Sequence, residues 1–195
     1  MLRILPLAIA FALLAFGDAR SQPSDAPPAP AIETIGELTL DELFGKLAED
    51  GESPAGGRIE EEILTRFNRS GSDTSDLLLT WAAQAIDDKD FPLALDVLDQ
   101  IIVLKPDFAE AWNKRATVYY LLDDYSASLA DIRQVLALEP RHFGALSGLG
   151  LILESMDRKD EAIEVFRRTL DINPRLDKVR ESLERLEKET EGDSI

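Results

Sequence analysis

The chain contains a single histidine, His142, and no cysteine, which removes most of the chemistry that a side-chain cluster could perform. Without thiols there is no disulfide, no cysteine nucleophile and no thiolate metal site. One imidazole cannot by itself build an ordinary zinc or copper centre. His142 falls in Glu139-Pro140-Arg141-His142-Phe143, and it reads as a lone turn histidine. Gly148-Leu149-Gly150 sits inside a helical pattern rather than between a strand and a helix, so it is not a phosphate loop. The carboxylates are many but spread along solvated helix faces. This inventory predicts no catalytic residue, no metal and no cofactor, and the chain is expected not to be an enzyme.

The elements behind these residues follow from composition and period. With 195 residues, 45% of them apolar and 30% charged, the chain has a soluble globular balance and enough length for a real core. Its 38 acidic and 21 basic residues leave a net charge of −17. That charge favours solubility and repels phosphate backbones, so nucleic acid is not an expected partner. A neutral or basic protein segment is favoured instead.

Leu104-Lys105-Pro106, Leu138-Glu139-Pro140 and Ile172-Asn173-Pro174 recur every 34 residues (106, 140, 174). A fixed period of this size means stacked supersecondary units. Counted from Ala109, the unit has Trp112 fourth, Tyr119 eleventh and Pro140 thirty-second. This pattern resembles the tetratricopeptide repeat (TPR) family. The resemblance covers residues 75–176 and implies an all-α fold, a helix-turn-helix solenoid wound as a right-handed superhelix.

Three units follow from the phase: 75–108, 109–142 and 143–176. Small residues at positions eight and twenty (Ala82/Ala94, Ala116/Ser128, Gly150/Ala162) suit a close crossing of helix A over helix B. Bulk fills positions four (Leu78, Trp112, Leu146), eleven (Ala85, Tyr119, Leu153) and twenty-four (Leu98, Ile132, Phe166). Helix B should open at Phe91, Tyr125 and Lys159, with Asp90, Asp124 and Asp160 available as caps. Position seven departs from the family's leucine in two units, as Trp81 and Arg115.

The flanks serve this array. Residues 36–72 carry apolar residues at helical spacing, Leu40, Leu43, Phe44 and Leu47, then Ile59, Ile63, Leu64 and Phe67, separated by a break at 51–57. In phase with the later units, and with Leu64 matching Leu98, they read as a degenerate N-terminal repeat capping the first full one. Residues 175–189 form an amphipathic capping helix through Leu176, Val179, Leu183 and Leu186, and 190–195 should fray. Residues 1–19, with Arg3 before an apolar run and Gly17-Asp18-Ala19 after it, read as a signal peptide cut after Ala19, against an uncleaved anchor as the competing reading. Cleavage would export the chain, with the periplasm as destination, and leave no transmembrane segment in the mature protein. Residues 20–35 read as a Pro/Ala-rich disordered linker.

The resemblance also implies a binding face. Helix A positions two, five, nine and twelve line the concave groove in this family. By phase they are Asp76, Leu79, Ala83 and Ile86, then Glu110, Asn113, Thr117 and Tyr120, then Gly144, Ser147, Leu151 and Glu154. One subclass grips a C-terminal carboxylate with basic groove residues, but the corresponding positions here hold Asp76, Leu79, Gly144 and Gly148. The expected function is a secreted or periplasmic scaffold binding a peptide segment of a partner. The alternative is a self-assembling structural protein of the cell envelope.

Overall fold

The 34-residue period becomes three antiparallel helix pairs in a computed structural model that describes residues 35–192. Those residues form nine helices and no strand: α1 Leu40–Asp50, α2 Pro54–Phe67, α3 Asp73–Asp87, α4 Phe91–Leu104, α5 Ala109–Leu121, α6 Tyr125–Leu138, α7 Phe143–Ser155, α8 Lys159–Ile172 and α9 Asp177–Gly192. Each pair packs internally and then onto the next, from α3/α4 to α9. This is the expected TPR solenoid. The expected signal peptide (1–19), the linker (20–35, apart from Ile35) and the last residues of the tail lie outside the described residues.

Close approach at the crossings holds each pair together. Ala82, Ala94 and Ala162 are fully buried, and Ser128 donates its hydroxyl proton to the Ala116 carbonyl at 2.8 Å. A Cβ on Gly150 would overlap the Phe166 ring, so this crossing admits only glycine without repacking. The bulky residues Leu98, Ile132 and Phe166 are buried in clusters that also include Val118, Ile152 and Val179 of the next helix. Helix B opens at Phe91, Tyr125 and Lys159, where the sequence puts it. Asp90 and Asp124 cap the first two by accepting from Leu93 N–H at 3.3 Å and Ala127 N–H at 3.0 Å. Asp160 is a correction: it lies within the first turn of α8, and the cap position is Arg158, which makes no side-chain cap bond. The tight A-to-B turn places Lys89, Asp123 and Asp157 at φ of 59°, 59° and 58°, a left-handed residue in every unit.

The N-terminal pair is where the structure departs from expectation. α1 and α2 do form, aided by a Thr39–Glu42 capping box and a Ser53 cap. Gly56 and Gly57 do not break the helix but sit in the first turn of α2. A side chain on Gly56 would overlap the Gly51 backbone, and one on Gly51 would overlap Pro174, so these glycines let the α1–α2 turn close against the chain ahead of α9.

The pair does not cap the first repeat. Leu43, Phe44, Leu47, Ile59, Ile63 and Phe67 form a cluster with Phe143, joined by Ile172 and Leu176, and no residue of α3 or α4 belongs to it. The hairpin thus lies along the B-to-A turns of the later repeats. Leu64, matched by phase to core Leu98, is 41% exposed.

Polar ties fix the hairpin there. Glu60 accepts from Asn173 Nδ2 at 2.8 Å and pairs with Arg175 at 3.3 Å, while Arg175 Nη1 donates to the Gly51 carbonyl at 2.8 Å. Arg141 pairs with Asp41 at 2.7 Å and stands over the Phe44 ring at 4.3 Å. At the other end, α9 buries Val179 and Leu186 with Leu153, Ile163 and Phe166, closing the last pair.

Two substitutions test this packing. Gly150→Leu should lower unfolding free energy by about 1–3 kcal/mol through overpacking against Phe166. Lys89→Gly should raise it by about 1 kcal/mol by relieving the left-handed backbone. Denaturant midpoints at unchanged m-value check both, and no shift at Gly150 would contradict the crossing geometry.

Candidate functional site

The helix A faces of the second and third repeats enclose a cleft of about 290 Å³. Asn113, Thr117 and Tyr120 of α5 form one wall and Gly144, Ser147 and Leu151 of α7 the other, with Ala116, Ile132 and Ala145 among the residues lining it. Half of the twelve residues proposed from the sequence therefore meet in one concavity. Ser147 and Leu151 also line a larger cavity of about 770 Å³, shared with Leu176 just ahead of α9 and with Val179 and Ser182 at its start. Ser147 and Leu151 line both, so the two concavities adjoin and make one channel-like surface along the later half of the solenoid.

The polar groups of the cleft are held by their own helices. Thr117 Oγ1 donates to the Asn113 carbonyl at 3.0 Å and Ser147 Oγ to the Phe143 carbonyl at 2.7 Å. Asn113 Nδ2 donates to Glu110 Oε2 at 3.2 Å. Each hydroxyl keeps acceptor capacity, and the Tyr120 ring, tilted against Tyr125 at 5.9 Å, supplies an aromatic surface. Such a lining can meet peptide N–H groups and one or two apolar side chains. Among the described residues, no group of three or more His, Cys, Asp or Glu is arranged to hold a metal ion.

The remaining six residues are placed elsewhere. Leu79 is 3% exposed and belongs to the core with Leu98, Ile101 and Phe108, because an apolar side chain at position five folds inward where Asn113 and Ser147 stay at the surface. Ile86 packs against the same cluster, and half-buried Ala83 lines neither concavity. Asp76 is occupied in bracing the α2–α3 link, accepting from Ser70 N–H at 2.7 Å and Ser70 Oγ at 2.6 Å. Glu154 pairs with Arg185 of α9 at 2.6 Å. Glu110 is 7% exposed and lies beneath the groove rather than in it.

Glu110 explains why the reading of His142 as a lone turn residue fails. His142 is 2% exposed; its Nδ1 accepts the Ala145 N–H at 3.1 Å and caps α7. Nε2 therefore carries the proton and donates to Glu110 Oε2 at 3.0 Å. The imidazole stacks on Phe67 of α2 at 4.4 Å and 8°. One residue thus joins the second repeat, the third repeat and the N-terminal hairpin. Its partners lie 32 and 75 positions away (142−110, 142−67), beyond the reach of a local motif.

Arg115, the departure at position seven, has a similar role. It forks onto buried Asp131 of α6 at 2.8 and 2.7 Å and reaches Asp99 of α4 at 2.5 Å. The Asp131 bonds, opposed by burial and helped by Asp99, hold the guanidinium far above its ordinary proton affinity. Trp112 beside it is half-buried, with its indole N–H on the Pro106 carbonyl at 3.0 Å.

Burial pushes the Glu110 carboxyl up, but the His142 hydrogen bond and the Lys114 ammonium at 3.2 Å outweigh it, and its pKa lies below the ordinary 4.5. A depressed carboxyl contributes stability that is complete above pH 4.5 and lost as pH falls through the folded-state value. Glu110→Gln should therefore be less stable than the parent at neutral pH. The gap should narrow as the pH drops below 4.5, which thermal melts across pH 3–7 would follow. A gap independent of pH would remove this charge from the account.

Comparison with known proteins accords with this geometry. Two tetratricopeptide repeat models match, over residues 81–142 and 122–177. A TPR repeat-containing protein of Rhizobium etli is 45% identical over 135 residues, which span 69% of this chain and 66% of that protein. Among solved structures, the Sgt2 TPR domain from Aspergillus fumigatus aligns at a TM-score of 0.59 with 21% identity, over 63% of this chain and 83% of that one. The first TPR of Spaghetti (RPAP3), bound to the HSP90 peptide SRMEEVD, aligns at 0.57 with 17% identity, over 60% and 94%. The repeats of residues 81–177 belong to the tetratricopeptide repeat family.

Proposed function

We propose that this chain is an exported protein-interaction scaffold that holds a peptide segment of a partner protein in the channel from Asn113 to the start of α9. The adjacency of the two concavities at Ser147 and Leu151 supports this reading, since together they offer an extended seat rather than a small-molecule pocket. The similar TPR of Spaghetti is bound to a peptide, which supports the class of ligand. The grip differs from a basic carboxylate clamp, because Asp76, Leu79, Gly144 and Gly148 stand where the cations would be.

The segment bound is neutral or basic, in keeping with a net charge of −17, and presents an apolar side chain toward Leu151, Leu176 and Val179. Export rests on the apolar run after Arg3 and the small residues at Gly17-Asp18-Ala19. No helix among the described residues is long and apolar enough to cross a membrane.

Affinity capture from the envelope fraction tests both parts. The combined variant Asn113→Ala, Thr117→Ala, Tyr120→Ala should lose the captured partner with unchanged helicity. Retained capture would move the site off the channel, and recovery of the chain only in the cytoplasmic fraction would refute export.

A further inference from the structure

The misplaced N-terminal pair leaves one surface of the solenoid without the cover that every later unit has. On α5, Ala111 and Val118 are fully buried in a cluster with Leu98, Ile101 and Ile102 of the preceding helix α4. On α7, Ala145 and Ile152 are buried with Ile132 and Val135 of α6. The corresponding residues of α3 (minus 34) are Leu77 and Gln84, with Trp81 at the position of Arg115. Among the described residues no helix covers α3 in this place, because α1 and α2 are bound to Phe143, Ile172 and Leu176. Leu77 is 52% exposed and Trp81 56%.

These residues form a stripe. Asp73, Leu77, Trp81, Gln84 and Asp88 follow each other at steps of four and three along one face of α3. Two large apolar side chains thus occupy the middle and carboxylates both ends, with Asp87 adjacent. Asp73, Asp87 and Asp88 make no ion pair among the described residues, and Asp88 accepts only from the Gln84 amide at 3.1 Å. In the internal interface, Arg115 selects an acidic partner, Asp99, from the neighbouring helix. Trp81 at the same position inverts that choice, since an indole face on a stripe with carboxylates at both ends attracts a cation and repels an anion.

We propose that the outer face of α3 is a second docking site, for an amphipathic helix of a partner protein with an apolar stripe flanked by Lys or Arg. That helix takes the place that α4 takes on α5. A second copy of this chain fits poorly, because its own α3 face would bring the same three carboxylates against these. The remaining segment of the chain, residues 1–34, carries Arg3 and Arg20 against Asp18, Asp25 and Glu33, and offers no basic stripe. The site is separate from the channel of α5, α7 and α9, so a scaffold with both can hold a peptide and a helix at once.

The probe is a labelled 14-residue peptide of the α4 sequence, Phe91–Leu104, with Asp96→Lys and Asp99→Lys, compared with the unsubstituted peptide by fluorescence anisotropy on the full chain. The lysine peptide should bind about tenfold more tightly than the parent peptide and weaken with added salt. Leu77→Ser with Trp81→Ser, both exposed changes, should weaken it by about tenfold or more. Asp87→Lys with Asp88→Lys keeps the apolar face and should abolish the preference for lysine. The Asn113, Thr117 and Tyr120 variant should bind the probe unchanged, which separates this site from the channel. Equal binding of both peptides, no binding, or full binding to the Leu77/Trp81 variant would overturn the proposal. So would a dimer in sedimentation that the Leu77/Trp81 variant dissolves, since the occupant would then be a second copy.

Discussion

Everything in this molecule depends on how closely helix A can approach helix B. Wherever the two cross, one or both residues are small, and the extreme case is Gly150 under the ring of Phe166. Phe166 occupies the room that Gly150 leaves within its pair, and Leu98, Ile132 and Phe166 all share buried clusters with residues of the next helix. The stacking of units, and with it the concave face, follows from that packing. The left-handed residues Lys89, Asp123 and Asp157 serve the same constraint by turning the chain tightly enough for helix B to fold back.

The α1–α2 pair has a different logic. Its apolar stripe is ordinary, but its cover is the row of B-to-A turns, and a turn offers less apolar surface than a helix. Polar ties make up the difference: Arg141 to Asp41, Glu60 to Asn173 and Arg175, and the stack of Phe67 on His142. Arg180 adds a link to Glu52 at 3.3 Å and a donated hydrogen bond to the Pro174 carbonyl. Asp41 and Glu52 stand largely in solvent and Glu60, Arg141 and Arg175 are half-buried, and all of these ties are made together in this one placement of the hairpin.

This arrangement biases the protein's two exposed surfaces. At the first repeat Leu79 and Ile86 turn into the core, so the concave surface begins at the second repeat and is roomier toward α9. The end face of α3, left bare by the hairpin, is apolar at its centre and acidic at its ends.

The sequence by itself determined the repeat: small residues at the crossings, bulk at the positions that fill the space around them, proline after each helix B, and the residues where helix B opens. Those features are legible because each unit satisfies its needs with neighbours one repeat away, and the period records that need. Asn113, Thr117, Tyr120, Gly144, Ser147 and Leu151 were legible as one face through the family resemblance, which the register of the period carried onto these residues. Only the tertiary structure decided where the hairpin lies, that Leu79 and Glu110 are buried, and that His142 is a joint rather than a turn residue. Those outcomes rest on contacts such as Glu60 to Arg175, 115 residues apart, a separation outside the 34-residue period. A hydrophobic stripe states that a helix must be covered, and it leaves the covering surface to whichever one also pairs its charges.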